Sequence, residues 1–344
     1  MATKIDSEIL KQFQTRFAQV ANMPPVVSKV LEEFSDVDIK ADRIANTIRR
    51  NQYYEHWLIQ EIKALGLKDN VPSLDAAIVL LGMQNVREFI CALYLIRAAL
   101  GRKPTVGKDG KLDPKPKDLL KFAVKTEEYV QARRLQNTDT AFAAGLLFDI
   151  VAITAREHFK ASKTFDELLG EVYKQGLRAA MIGLEISKTM KSFAYTRYAF
   201  SACLLRDIGK LVMHAFFAEK YDKLRSDLQK KPVNRVVRMF LEERHFGFTH
   251  EYLSSELVWN YKILRPAARP ILYHHEPFLC SPPADQQAFS GLVGLASQIS
   301  ANYRIPKDTS DPVFNTWFAP ETSRLQVDRK AIVNIMGKMS RESF

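Results

Sequence analysis

The chain has 344 residues, of which 47% are hydrophobic and 26% are charged, with 14 Gly and 15 Pro. These values are typical of globular proteins and exclude extended disorder, collagen-like repeats and low complexity for most of the chain. The net charge of +11 would attract acidic partners or phosphates. No basic stripe with interleaved aromatic residues accompanies it, so we expect a basic surface and no nucleic-acid partner.

The three cysteines, Cys91, Cys203 and Cys280, form no spaced pair and lie among apolar neighbours. They therefore indicate neither a disulfide framework nor a thiolate zinc site. No apolar run reaches the ~18 residues that would cross a bilayer, and the polar N-terminus has no apolar signal core. We expect a soluble, cytoplasmic protein without a membrane span and without a cofactor.

Hydrophobic residues recur at helical spacing through the first 100 residues, which predicts a helical N-terminal subdomain over 1–100. Pro24 and Pro25 suit a first helical turn, and Ser73 suits an N-cap. Gly66 and Gly82 are expected to end helices. The segments with helical spacing are 26–34, 41–48, 57–65, 74–81 and 86–100.

Residues 101–118 are rich in Gly, Pro and Lys and have almost nothing to bury, which predicts a linker at a domain boundary. Helical spacing resumes at Leu119. Seven of ten positions match between residues 141–150 and residues 199–208. We therefore interpret 119–170 as an inserted or duplicated helical hairpin, with convergent packing of two core helices as the alternative. Strand-like alternation is scarce, so the fold class is predicted to be all-α.

Several short motifs follow one another along the chain. Residues 204–210 read Leu-Leu-Arg-Asp-Ile-Gly-Lys, 246–251 read Phe-Gly-Phe-Thr-His-Glu, and 271–277 read Ile-Leu-Tyr-His-His-Glu-Pro. Residues 294–297 read Gly-Leu-Ala-Ser, and the run at 77–83 reads Ala-Ile-Val-Leu-Leu-Gly-Met. Together they resemble the HDOD domain, a degenerate branch of the HD superfamily of metal-dependent phosphohydrolases. The resemblance implies an HD-like helical bundle over 171–344, with the N-terminal subdomain packed on it.

The resemblance also implies where metal ligands would lie: a first His, a His-Asp pair and a distal Asp. These positions fall on Gln175 or a near neighbour in residues 173–177, on Arg206 with Asp207, and on Ser297, so only Asp207 retains a ligand. A guanidinium has no lone pair for a metal and repels a dication. We therefore expect no bound metal and no phosphohydrolase activity.

Three histidines of the motifs remain, His250, His274 and His275. They could form a metal site on their own, but structural hydrogen bonds are the interpretation that we favour. Adjacent residues of a helix point about 100° apart, so we expect that His274 and His275 do not face one pocket together.

Two functions from different classes remain open at this point. The resemblance implies a non-catalytic module of bacterial signal transduction, often near cyclic di-GMP pathways, that binds protein partners. The alternative is a receptor for a nucleotide such as a cyclic dinucleotide or guanosine tetraphosphate, and a residual phosphohydrolase comes after both. The basic residues that could bind such an anion are Arg206, Lys210, Lys230, Lys231 and Arg235.

Overall fold

The computed structural model describes residues 22–34, 36, 38–66, 73–135, 138–190, 193–231, 235–277, 284–301, 308–311 and 318–339, with Lys11, Phe13, Thr15 and Phe17 before them. In this part of the chain nearly all regular structure is helical, and the predicted all-α fold class is confirmed. The chain divides into two compact units. The N-terminal unit comprises Arg16–His158 and Tyr261–Ile263, and the C-terminal unit comprises Met1–Thr15, Phe159–Asn260 and Leu264–Phe344.

The N-terminal unit begins with five helices that match the predicted periodic segments. They are α1 (Pro25–Glu33), α2 (Ala41–Arg49), α3 (Gln52–Ala64), α4 (Leu74–Leu81) and α5 (Met83–Ala98). A two-stranded hairpin, β1 (Thr105–Val106) with β2 (Leu112–Asp113), comes next. The remaining helices are α6 (Pro116–Leu119), α7 (Lys121–Ala132) and α8 (Thr138–Phe159).

Local chemistry sets the starts of several of these helices. Proline occupies the first turn of α1, where its missing N–H has no intrahelical partner. The Ser73 hydroxyl accepts the Ala76 N–H at 3.3 Å and caps α4, as predicted. Gly82 adopts φ 82°, and α4 and α5 meet there at an angle of 101°. A residue with a Cβ would be strained in this backbone conformation, so glycine suits the bend.

Helix α5 forms the centre of the N-terminal unit, because nearly every side chain from residue 86 to residue 96 is buried. The guanidinium of Arg87 is buried among them and donates a hydrogen bond to Glu127. Its carbon lies 4.8 Å and 3.8 Å from the ring centres of Phe34 and Phe142. The buried cation is therefore neutralised by one carboxylate and packed between aromatic faces.

The segment 101–118 differs from the predicted linker. It contains the hairpin, in which Val106 pairs with Leu112, and the Leu112 side chain is buried. The Leu112 N–H donates to the Glu61 carboxylate at 3.1 Å, which ties the hairpin to α3. The compact units divide between residues 158 and 159, not at this segment. The Lys- and Pro-rich composition of this segment gives no sign of these buried contacts, and a few of them are enough to order it.

Helix α8 is long and apolar enough to cross a membrane, but 89% of its apolar 18-residue stretch is buried inside the protein. This burial is typical of a core helix. In its middle, the Asp149 carboxylate accepts the N–H groups of Phe122 and Ala123, both at 2.9 Å, and so caps the start of α7. The matching aspartate, Asp207, lies in a turn after a helix. Whether a duplication produced the two segments stays a prediction.

The C-terminal unit carries the remaining helices. They are α9 (Lys163–Thr189), α10 (Thr196–Leu205), α11 (Gly209–Lys230), α12 (Arg235–Phe246), α13 (His250–Trp259), α14 (Ala268–Leu272), α15 (Ala284–Ala301), α16 (Ala319–Arg324) and α17 (Arg329–Met339). Helices α9 and α10 approach closely at two glycines. A Cβ at Gly176 would lie 2.7 Å from the Leu204 carbonyl oxygen, and one at Gly183 would lie 2.4 Å from the Cys203 sulfur. This contact holds α10, and the turn that follows it, in place.

Candidate active site

A buried cluster of charged side chains lies in the C-terminal unit, where four helices and two turns of the chain meet. The turn after α10 supplies Arg206 and Asp207, and the first turn of α11 supplies Lys210. Helix α12 supplies Glu242. The other members, His250, Glu251, His274, His275 and Ser300, come from the start of α13, the turn after α14 and the end of α15.

Asp207 is the centre of the cluster. Its carboxylate contacts the ammonium of Lys210, the guanidinium of Arg206 at 3.1 Å and the Nε2 atom of His250 at 3.3 Å. Burial alone would raise the pKa of Asp207, but the charges of Lys210 and Arg206 hold it well below its usual range. The carboxylate is therefore ionised at neutral pH and is neutralised by side chains of this chain.

His250 is held on its other side by two carboxylates. Its Nδ1 atom lies 2.6 Å from Glu242 Oε2 and 3.4 Å from Glu251 Oε2. Burial opposes the charge of His250, but the two carboxylates raise its pKa to about 9. Burial would likewise raise the pKa of Glu242, but the charge of His250 lowers it to about 2. At neutral pH this contact is an imidazolium–carboxylate ion pair.

His274 and His275 do face one pocket together, contrary to our expectation. They lie in the turn after α14 has ended, so the 100° spacing of helical residues does not apply to them. Their ring centres are 4.0 Å apart, and His275 Nε2 lies 3.2 Å from His250 Nε2. The His274 Nδ1–H donates to the Ile271 carbonyl oxygen at 2.7 Å. The predicted structural hydrogen bond is thus present for His274.

These two imidazoles are neutral. Burial lowers the pKa of His274 to about 3. Burial and the neighbouring imidazoles of His274 and His250 lower the pKa of His275. In the part of the chain that the structure describes, the His274 Nε2 atom has no hydrogen-bond partner.

Two glycines let the segments of the cluster approach one another. A Cβ at Gly209 would lie 2.2 Å from the His250 carbonyl oxygen, and the Gly209 N–H donates to the Ser254 hydroxyl at 2.8 Å. A Cβ at Gly294 would lie 2.4 Å from the His274 carbonyl oxygen. Glycine at these positions therefore sets the separation of the histidine segments from α11 and α15.

Replacing Gly209 by alanine should destabilise the protein by roughly 1–3 kcal/mol, because the new methyl group would overlap backbone atoms that cannot rotate away. Gly170 on α9 is the matched control, since a Cβ there meets nothing within 4 Å. Gly170→Ala should stabilise the helix by about 0.5–1 kcal/mol. Urea unfolding followed by circular dichroism measures both changes. Equal effects of the two substitutions would contradict the close approach.

The structure does not bring every predicted site residue into the cluster. Gln175 lies on the exposed side of α9, so the first histidine position of the HD pattern is not located there. Ser297 is half-buried, and its carbonyl oxygen accepts the Ser300 hydroxyl at 2.8 Å. Ser300, one turn later on α15, is the residue that meets Arg206, at 3.3 Å.

The predicted anion-binding residues do not form one group either. Arg206 and Lys210 are held by Asp207, whereas Lys230 and Lys231 are exposed at the far end of α11. The side chain of Arg235 lies outside the described residues.

The acidic half of the cluster is not among the residues predicted from the sequence. Glu242 lies in a stretch that the sequence presents as a basic helix, and Glu251 directly follows a motif histidine. Ser254 and Ser300 carry no motif at all. The one available signal was the spacing of Arg238 and Glu242, four residues apart on α12, where they form an ion pair at 3.4 Å.

The sequence model of the HDOD domain family matches residues 20–161 and 150–277. The chain belongs to the HDOD family. The predicted resemblance is thereby confirmed, and it extends over more than half of the chain. No curated protein matches the chain significantly.

Solved structures with a similar arrangement come from three bacteria. A candidate phosphohydrolase of Shewanella amazonensis is 15% identical, with 97% of this chain and 94% of that chain covered and a TM-score of 0.47. An HDOD domain protein of Geobacter sulfurreducens is 14% identical, with 97% of each chain covered and a TM-score of 0.43. The MmoQ response regulator of Methylococcus capsulatus is 16% identical, with 91% and 96% covered and a TM-score of 0.36.

The resemblance to the HD superfamily implies a divalent metal at this cluster, and two features of the cluster oppose one. Arg206 and Lys210 supply the positive charge that a metal ion would place beside Asp207, and they have no lone pair to donate to a metal. His250, His274 and His275 present ring nitrogens within 4.8 Å of one another. However, His250 carries a proton at neutral pH, so its imidazole would have to lose that proton before it could bind a metal.

Proposed function

We propose that this HDOD chain is a non-catalytic module of bacterial signal transduction that binds partner proteins. The observation that carries the proposal is the contact of Asp207 with Arg206, Lys210 and His250. A catalytic HD site uses metal ions to generate hydroxide and to hold a phosphate. Here three cationic side chains occupy the surroundings of the remaining aspartate, so its charge is already neutralised.

The energetics favour this interpretation. A dication 4 Å from a fixed guanidinium is repelled by roughly 8 kcal/mol at an effective dielectric constant of 20. A metal held by the three histidines would have to offset that repulsion, and His250 would first have to lose its proton. The fold can instead serve as a rigid helical scaffold, which is the role that the family resemblance implies. A position in a cyclic di-GMP pathway and a cytoplasmic location are parts of the same proposal.

A nucleotide receptor centred on Arg206 is less favoured. The guanidinium is buried and donates to the Cys203 carbonyl oxygen at 2.7 Å and to the Ser300 hydroxyl, in addition to its ion pair with Asp207. A phosphate would have to displace these partners and enter a site that is closed to solvent. No observation in the described residues favours this function over the scaffold.

The proposal is tested by metal content and turnover of the purified full chain. We expect far less than one equivalent of iron, manganese or zinc per chain by elemental analysis. We also expect no hydrolysis of bis(p-nitrophenyl) phosphate or cyclic di-GMP beyond that of the Asp207→Asn variant. Stoichiometric metal together with turnover that His274→Ala abolishes would overturn the proposal. Micromolar binding of cyclic di-GMP in calorimetry, lost in Arg206→Met, would favour the receptor instead.

A further inference from the structure

The N-terminal unit exposes an unusual concentration of large hydrophobic side chains. On α4, Val79 and Leu80 are 65% and 61% exposed, although the opposite side of the helix, with Ala77 and Ile78, is buried. Leu65 and Val106 are also exposed, at 38% and 54%. A short helix that is apolar on both sides is typical of a helix covered on both sides. Such a surface on a soluble domain indicates an interaction site.

A groove of about 580 Å³ lies beside this helix. Apolar side chains form much of its lining: Leu58, Leu65, Leu80, Leu81, Val86, Phe89 and Leu112. They come from α3, α4, α5 and the hairpin, all within the N-terminal unit. The exposed Leu65 and Leu80 therefore border a concave apolar surface, which suits a partner that inserts side chains.

One side of the groove is basic. The segment that forms this side, residues 101–121, has seven basic and three acidic residues, a net charge of +4. It contributes Lys111, Lys115 and Lys117 to the lining. Three acidic residues also line the groove: Glu61, whose carboxylate accepts the Leu112 N–H, Glu88 and Asp118. Lys115 pairs with Asp109 of the same segment at 3.3 Å, so the positive charge of this side is that of the segment as a whole.

We infer that this groove binds an amphipathic helix of a partner protein, with apolar anchors inserted between α4 and the hairpin and acidic residues facing the lysines. A helix presents anchors at positions i, i+3 or i+4 and i+7 on one face, which suits a concave apolar surface. Its flanking carboxylates would meet the positive potential of residues 101–121 and speed association. This inference rests on the proposed partner-binding role and names the surface and the chemistry of the partner.

The test is selection of peptides from a random 16-residue phage library on the immobilised full chain. We expect enrichment of sequences with hydrophobic residues at helical spacing and an excess of Asp and Glu. A selected peptide, measured by fluorescence anisotropy, should bind at least tenfold more weakly to Leu80→Asp. It should also bind several-fold more weakly to a Lys111→Glu, Lys117→Glu double variant, and added salt should weaken its binding.

Phe240 provides the matched control. It is 59% exposed on α12 of the C-terminal unit, so Phe240→Asp makes the same kind of change elsewhere. The control should leave peptide binding unchanged, and thermal melting should show all variants folded. Equal loss in both variants, or enrichment of basic peptides, would overturn the inference. So would a micromolar self-association that Leu80→Asp abolishes, or equally Leu80-dependent binding to vesicles of anionic phospholipid.

Each of the two proposals can be refuted without refuting the other. Metal content and phosphodiester turnover test the non-catalytic role in the C-terminal unit, whereas peptide binding tests only the groove of the N-terminal unit. If turnover is absent and no peptide needs Leu80 for binding, the groove is not the binding site for a partner helix, and the proposed function is not contradicted.

Discussion

Replacing Asp207 by alanine is expected to destabilise the protein by about 3–5 kcal/mol. The substitution leaves Arg206 and Lys210 buried without the carboxylate that pairs with them, and it removes one of the partners of His250. Removing one partner of a buried ion pair is strongly destabilising because the remaining charge keeps its desolvation penalty. Chemical denaturation at pH 7 measures the change.

Two comparisons separate this effect from the loss of an ordinary ion pair. The exposed pair of Arg49 and Asp75 has the same 3.1 Å separation, and Asp75→Ala should cost far less. The double variant Arg206→Met, Asp207→Ala should recover part of the lost stability, because it removes a cation together with its counter-charge. If Asp207→Ala cost no more than Asp75→Ala, the cluster would be hydrated and not buried as described.

Stability should be greatest near pH 6.5 and should decline on both sides, for two different reasons. The pKa of His250 is raised to about 9, so its contribution is complete below the unfolded value of about 6.5 and is lost as the pH rises through 9. The pKa of His274 is lowered to about 3, so the unfolded chain binds the extra proton below pH 6.5. Stability therefore falls with acidity, by about 1.4 kcal/mol per pH unit for each imidazole kept neutral.

Single substitutions should flatten one side of this profile at a time. His250→Gln should reduce the decline between pH 6.5 and 9 by on the order of 3 kcal/mol. His274→Gln should reduce the decline between pH 6.5 and 4.5 and leave the alkaline side unchanged. Below pH 4.5 the loss of Glu242 ionisation adds to the decline in variants that keep His250, because the charge of His250 lowers the pKa of Glu242. Urea midpoints across pH 4 to 9 measure the profiles, and identical profiles would contradict the assigned charges.

Much of the fold was predictable because helical spacing, caps and breaks act locally. The helices of the first 100 residues, the Ser73 cap and the Gly82 break all follow from short-range rules. The hairpin at 101–118 was not predictable in this way. Its order depends on Leu112 being buried and on the carboxylate of Glu61, which is fifty-one residues earlier in the chain.

The site was predictable only in its motif residues. Asp207 and the three histidines could be found because they belong to recognisable strings, and the structure brings these four together. Glu242 and Ser300 meet the cluster from other helices, so no sequence spacing reports their contacts. Gln175 was assigned without a motif of its own, and residues 101–170 separate it from the N-terminal motif, so its alignment to the first histidine position had little support. The relative orientation of His274 and His275 depends on where α14 ends. If the helix were two residues longer, the two rings would point in different directions.

The buried ion pairs of Asp207 also constrain how this chain can evolve. Recovering a metal site would require a neutral ligand in place of Arg206 and removal of the Lys210 ammonium. Either change alone would alter the net charge of the buried cluster while no metal ion is present to balance it. If the proposed non-catalytic role is correct, a change toward metal binding would therefore pass through less stable intermediates. Single substitutions in this cluster would then be selected against even where a metal-binding protein would be useful.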